Sequence, residues 1–430
     1  MQTNHVDKLI YHLDNVLAPI WTSVILYLEE APTVRRLKDA VYKLVEYTVP
    51  LNMIWNKKLL RWEKRENWNI AEIQNSIIIT DYPVNLKDVY CTVDLSNELA
   101  FRVIFSTHKT NRGYGLAIQL HHVRGDGRSL LMLLNNLLSY AGGVQGREIS
   151  DNRTSDFGLF KKTIKRLTAK NLRNFFNPKY DFFASRGVAL PTSGDGSHGK
   201  PCVDTIKLNL NKISHLSGID LFYSSVAIGI SELLGVHFDL PIRLRIPVDL
   251  RREFSLQGAI GNFDTAIALE ISSGQLIELR KNAEQNINIF TKEIRKILNN
   301  KHHLTNFIES IILTSLLSSS YLKKTLKKDF FSKRRNNTMV ATFLGKVDRN
   351  SRQFPFKIND VIVTVPTLGA NGYIFNGHLY INITSYDGIW NHELRNKFLL
   401  AIERWINLNF GLKTYRLSME EDKNEKLPSC

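Results

Sequence analysis

Residues 114–127 read Tyr114-Gly115-Leu116-Ala117-Ile118-Gln119-Leu120-His121-His122-Val123-Arg124-Gly125-Asp126-Gly127, and this stretch decides the fold. Its first half has the apolar texture of a buried β-strand. Beyond Gly127, Arg128 and Ser129 come Leu130-Leu131-Met132-Leu133-Leu134 and a run to Tyr140, stopped at Gly142-Gly143. That is the pattern of a helix closed by glycine. The two histidines therefore stand at a strand end, on the turn before a helix. A rigid scaffold there aims side chains at a position that substrate can reach.

Adjacent strand residues point to opposite faces, so only one of His121 and His122 can line a given cavity. His122 shares parity with Leu116, Ile118 and Leu120. An apolar surround disfavours an imidazolium, and a neutral imidazole near neutral pH is a suitable general base. Asp126 lies four residues on, across a tight turn that Gly125 and Gly127 permit. Its expected role is to hold the loop, by an ion pair or by capping the helix.

Outward from this turn, strands are expected at residues 21–28, 76–80 and 100–105. A helix is expected over 33–47 with Thr33 as its N-cap and Pro50 beyond its end. Residues 142–204 change texture. Gly142-Gly143, Gly146 and the run 194–199 are turn formers, and a basic stretch from Lys161 to Lys179 lies between them. This region reads as a crossover between halves, giving an N-terminal lobe over 1–180 and a C-terminal lobe over 181–430. The second half promises strands at 203–210, 243–248, 266–271, 361–365 and 379–384. Helices are expected at 224–235, 278–298 and 394–408. Interleaved strands and helices indicate an α/β (α+β sandwich) architecture.

At 430 residues, two domains are the natural division. With 43% hydrophobic and 23% charged residues the chain falls in the globular range. Cys91, Cys202 and Cys430 are scattered without paired spacing, which argues against a disulfide framework or a zinc site. A reduced cytoplasmic setting fits them. No secretory signal opens the chain and no run of about 18 apolar residues is present. The net charge of +16 points to phosphorylated cofactors, acidic proteins, anionic lipid or nucleic acid, or to nucleotide bias in the coding genome.

His121-His122-Val123-Arg124-Gly125-Asp126-Gly127 reproduces an HHxxxDG motif, and through it the chain resembles the chloramphenicol acetyltransferase-like acyltransferase superfamily. That superfamily includes condensation domains, wax ester synthases and alcohol acyltransferases. Ile246-Pro247-Val248-Asp249-Leu250-Arg251-Arg252 followed by Gly261-Asn262-Phe263 is similar to a second pattern of the same group. Residues 376–388 and the opening His5-Val6-Asp7-Lys8-Leu9-Ile10 are similar to late and early segments of wax ester synthases and their stand-alone relatives. The resemblance implies two similar lobes with a substrate tunnel between them, His122 as general base, and Asp126 as a structural partner of an arginine. Arg251 is the candidate partner, with Arg245 and Arg252 as alternatives. His121, Gly127 and Asn262 are supporting residues. Backbone N–H groups at Gly127, Asn262 and Ser385 are possible oxyanion donors. The DFGW segment of plant-type members is missing; Ser385-Tyr386-Asp387-Gly388 stands in its place.

The implied reaction moves an acyl group from an acyl-CoA or a phosphopantetheinyl acyl carrier protein to a hydroxyl acceptor. Amide formation on a carrier-bound substrate is the alternative, and a docking module without catalysis is the third reading. No bound cofactor or metal is required. Basic runs at 161–179 (with Phe160, Phe175 and Phe176) and 323–335 (with Phe330 and Phe331) could attract phosphate-bearing donors or acidic carrier proteins. Alternatively, residues 307–317 followed by the second of these runs could rest on an anionic membrane. No recognised nucleic-acid fold signature accompanies them, so nucleic acid is set aside as a partner.

Overall fold

The structure, a computed structural model, describes the chain except residues 1–4, 15–19, 66–67, 90–91, 150–155, 177–186, 193–199, 214, 236–237, 325–333, 336, 348–354, 365–368 and 419–430. Cys91, Cys430, the 194–199 turn run, Lys179, Lys327, Lys328, Phe330, Phe331 and Lys333 lie outside the described residues. So does the boundary expected between residues 180 and 181.

Two large sheets carry the fold. The first has five strands, ordered Ile358–Thr364, Trp21–Leu28, Gly113–His121, Phe101–Thr110 and Ile77–Thr80. The second has seven, ordered Asp264–Ile271, Ile242–Asp249, Met339–Lys346, Gly369–Phe375, His378–Tyr386, Pro201–Asn209 and Thr414–Ser418. Met339–Lys346 runs parallel to both neighbours, and Ile77–Thr80 runs parallel to Phe101–Thr110; the remaining pairs are antiparallel. One face of the first sheet buries Val24, Leu116, Ile118 and Leu120 against the helices Val34–Tyr47 and Gly127–Ala141. The second sheet buries Ile206, Leu244, Ile267 and Ile381 against the helices Gly218–Leu234 and His392–Phe410. Each lobe is thus a sheet backed by helices.

Local sequence chemistry sets most element ends. Thr33 Oγ1 accepts the Arg36 N–H at 3.3 Å and starts the helix Val34–Tyr47. Asn391 starts the last helix in the same way. Pro50 falls in the 3-10 turn Val49–Leu51 that follows the first of these. The long helix expected over 278–298 is instead three pieces, Ser273–Lys281, Ala283–Asn286 and Ile289–Asn299. Asn282 leaves the helical region (φ −139°, ψ 70°) while its N–H still closes on the Glu278 carbonyl. Asparagine offers the backbone alternatives to the helical ladder, so an amphipathic period survived a break that it could not reveal.

The strand Ile358–Thr364 comes from the second half of the chain yet pairs with Trp21–Leu28 at the edge of the first sheet. It also joins the two sheets. Tyr373 donates its hydroxyl proton to the Val361 carbonyl and Tyr380 to Asp360 Oδ1, each at 2.6 Å, and the two rings stack with centroids 5.0 Å apart. Asn382 Nδ2 donates to the Val363 carbonyl. The Val361 and Val363 carbonyls of this edge strand thus find side-chain donors from the second sheet.

Candidate active site

The strand Gly113–His121 ends one residue before His122. His121 stays in the ladder: its N–H donates to the Ala100 carbonyl, and its ring stands edge-on to Trp21 at 5.1 Å. Its Nε2 lies 3.2 Å from Asp14 Oδ1. The His122 N–H donates to the Ile20 carbonyl at 2.7 Å, and its ring turns the other way, into a cavity of about 340 Å³ between the two sheets. Nδ1 of this ring has no hydrogen-bond partner among the described residues. Strand parity separates the two histidines as expected: His121 is 1% exposed and locked in place, whereas His122 opens onto the cavity.

Asp126 performs both roles open to it. Its Oδ1 accepts the Ser129 N–H at 2.9 Å and so caps the helix Gly127–Ala141. Both its oxygens also receive Arg251, Nη1 to Oδ2 at 2.8 Å and Nη2 to Oδ1 at 2.9 Å. Of the three arginines considered, Arg251 is the one that reaches it. The guanidinium is buried, 1% exposed, and donates further to the Ala259 and Gly261 carbonyls and to Ser129 Oγ. Burial alone would push the Asp126 carboxyl up. The Arg251 charge, with the Ser129 and Phe263 amides, outweighs this and holds the carboxyl below its ordinary range.

Asn262 binds the loop from the other lobe. Its Nδ2 donates to the His122 carbonyl at 2.7 Å and lies 3.2 Å from that of Val123. The same amide lies 2.8 Å from Asp7 Oδ1, so the N-terminal helix His5–Asp14 is tied to the histidine turn. Two glycines are demanded by this packing. A Cβ at Gly125 would sit 2.8 Å from Leu120 Cδ2 and 2.9 Å from Ser129 Cβ, and Gly261 holds φ +149°. Gly127 lines the cavity, but a Cβ there would meet only ordinary contacts at 3.8 Å or more; the tight turn therefore depends on Gly125 and not on Gly127.

Among the oxyanion candidates, Asn262 uses its side chain to hold the loop, and Ser385 sits within the strand His378–Tyr386 opposite Cys202. Asp387 closes a loop with Lys200: its N–H donates to the Lys200 carbonyl, and its Oδ1 accepts the Lys200 N–H. Three residues absent from the expected site belong to its surroundings. Asp7 and Ser129 hold the turn, and Asp264 lines the cavity wall. Ser129 carried a sequence signal, three residues after an N-cap aspartate; Asp7 carried only its place in the opening segment His5–Ile10, and Asp264 carried none.

The N-terminal helix lends Val6, Leu9 and Ile10 to the cavity, the first sheet Thr22 and Val24, and the second Arg245, Phe343 and Leu344. Both lobes therefore build it. Among the described residues no helix is long and apolar enough to cross a membrane.

No family model and no curated protein matches the sequence. Solved structures do match. The chain is similar to a trichothecene 15-O-acetyltransferase from Fusarium sporotrichioides, with TM-score 0.70, 12% identity and 94% of each chain covered. It is also similar to the epimerization domain from the third module of tyrocidine synthetase B (0.60, 14%, 90% of each chain). A starter condensation domain of rhizomide synthetase, determined in complex with C8-CoA, matches at 0.57 and 11%, with 94% of this chain and 92% of that one covered. The arrangement of two helix-backed sheets around a shared cavity is thus the fold of these structures, with two chloramphenicol acetyltransferase-like lobes.

Proposed function

We propose that the protein is an acyltransferase in which His122 deprotonates a hydroxyl acceptor that attacks an acyl thioester. The observation that carries this is the His122 imidazole at the wall of an inter-lobe cavity, on a turn fixed from the second lobe by Arg251 and Asn262. In the reaction the acceptor oxygen gives its proton to His122 as it bonds to the thioester carbon. The resulting oxyanion collapses, the carbon–sulfur bond breaks, and the thiolate takes the proton back as thiol. A positioned base contributes about a hundred- to ten-thousandfold to such a step. Donor and acceptor held together in the cavity supply the orientation.

An acetyltransferase and a domain bound to C8-CoA among the similar structures support an acyl-CoA or carrier-protein donor. Similarity to peptide-synthetase domains favours the second reading, amide formation on a carrier-bound substrate. The test is acceptor-dependent thiol release from acyl-CoAs of increasing length, with alcohol and amine acceptors. Release with free acyl-CoA and alcohols is the expected outcome. Activity with carrier-bound donors alone would assign the condensation reading, and no turnover with either would leave a docking module.

The basic helices give this enzyme a second surface. The helix Asp156–Ile164 exposes Phe157 (75%) and Ile164 beside Lys161, with Lys165 following. It packs through Leu159 on Phe307 and Ile311 of the helix His302–Leu316, which exposes Ile312 and Leu316 (77%). Exposed lysines with apolar tips are the composition of a peripheral membrane contact. We expect cosedimentation with anionic vesicles at low salt, lost at high salt. Absence of binding at low salt would remove this contact from the account.

A further inference from the structure

The cavity holds a carboxyl group for which the chemistry above has no use. Asp264 opens the edge strand Asp264–Ile271, two residues beyond Asn262, and faces Asp249 across the antiparallel pair. Ile267, Leu269 and Ile271 of this strand point into the second lobe's core, so Asp264 by alternation points away from it. Its side chain lines the cavity together with His122.

Three aspartates line this cavity. Arg251 engages two of them, Asp126 at 2.8 Å and Asp249 at 3.0 Å. The third, Asp264, has a buried Oδ1 without a hydrogen-bond partner among the described residues. Buried polar atoms in native proteins nearly always have a partner, and a ligand can be that partner. Burial and the Asp126 charge push the Asp264 carboxyl above its ordinary range, although His122, Arg245 and Arg251 act in the opposite direction. A group in that state gains more from a donated hydrogen bond than one already paired.

Much of the remaining wall is apolar, from Leu9, Ile10, Leu131, Val340 and Phe343. An occupant must therefore be largely apolar and carry a donor that reaches Asp264. Arg245 lines the same cavity, so a hydroxyl fits better than an ammonium, whose charge would sit close to a guanidinium. We propose that Asp264 is a specificity-determining residue that accepts a hydrogen bond from a second hydroxyl of the acceptor while the hydroxyl to be acylated faces His122. The acceptor class is then an apolar diol, or a larger apolar molecule with two hydroxyls. This rests on the reading of the cavity as the acyl-transfer site.

The test is equilibrium binding, by titration calorimetry, of a medium-chain primary alcohol and of diols of the same chain length. It uses wild type, Asp264→Leu, the near-isosteric Asp264→Asn and His122→Ala. Wild type is expected to bind at least one diol about ten- to a hundredfold more tightly than the mono-alcohol. Asp264→Leu is expected to lose that preference with the mono-alcohol affinity kept, and His122→Ala to retain it. Should Asp264→Leu fail to fold, weakening of the preference in Asp264→Asn carries the same meaning. Equal affinity for mono-alcohol and diols, binding of neither, or a preference indifferent to substitution at Asp264 overturns the proposal. A diol preference without acyl transfer would leave this site standing and remove the acyltransferase reading. Acyl transfer indifferent to the second hydroxyl would do the reverse.

Discussion

Replacing His122 by alanine is expected to lower kcat for acyl transfer by about a hundred- to ten-thousandfold while leaving KM for the thioester nearly unchanged. The split follows from the geometry. The main chain of His122 holds the turn, through its N–H to Ile20 and its carbonyl to Asn262, and alanine keeps both bonds. The ring Nδ1 has no partner among the described residues, so removing it breaks no hydrogen bond at that atom. What is lost is the proton acceptor, which matters only when the acceptor oxygen begins to bond. Steady-state kinetics with the folded variant, its far-UV spectrum matching wild type, reads the effect. A rate within a few-fold of wild type would transfer the role to another group.

Arg251→Ala is expected to destabilise the protein by about 3–5 kcal/mol, the range for removing one partner of a buried ion pair. Asp126 would keep its charge in a buried wall, and the Gly261 and Ala259 carbonyls and Ser129 Oγ would each lose a donor. Denaturant unfolding of the variant measures the loss. The double replacement Asp126→Leu with Arg251→Met should recover much of it, because no unpaired charge remains. The pH dependence has a definite sign. The folded Asp126 carboxyl lies below its ordinary range, so its contribution is present above the unfolded carboxylate value and is lost as pH falls through the folded one. Without Arg251 that carboxyl rises, its stabilising contribution at neutral pH is lost, and the stability gap between wild type and variant should narrow as the pH falls through the wild-type folded value. A variant as stable as wild type at neutral pH would contradict the structural role of this pair.

The histidine turn was legible because it combines three local signals: a strand that ends, a glycine where no Cβ fits, and a helix with an aspartate cap. Arg251 was legible only as one of three, since an ion pair spanning 125 residues is fixed by where two strands meet and not by spacing. The edge position of Ile358–Thr364 in the first sheet was illegible for the same reason. An alternating strand declares its faces but not its neighbour. Asp7 and Asp264 lie far from the turn in sequence, and a single aspartate has no period to detect. Each gains meaning only once the N-terminal helix and the strand Asp264–Ile271 close on the cavity. The broken helix after residue 281 shows the converse, a clear period interrupted by one asparagine.

The most direct test of the account follows a labelled acyl group through a single turnover. Wild-type protein in excess is mixed with acyl-CoA carrying the label in its acyl chain, first alone and then with an alcohol acceptor, and the label is located by mass spectrometry. Direct attack assisted by His122 predicts that the chain's own mass never changes. Label should then move from thioester to acceptor in wild type, with at most trace transfer in His122→Ala. Label accumulating on the protein before acceptor is added, or reaching the acceptor as fast in His122→Ala, would contradict it.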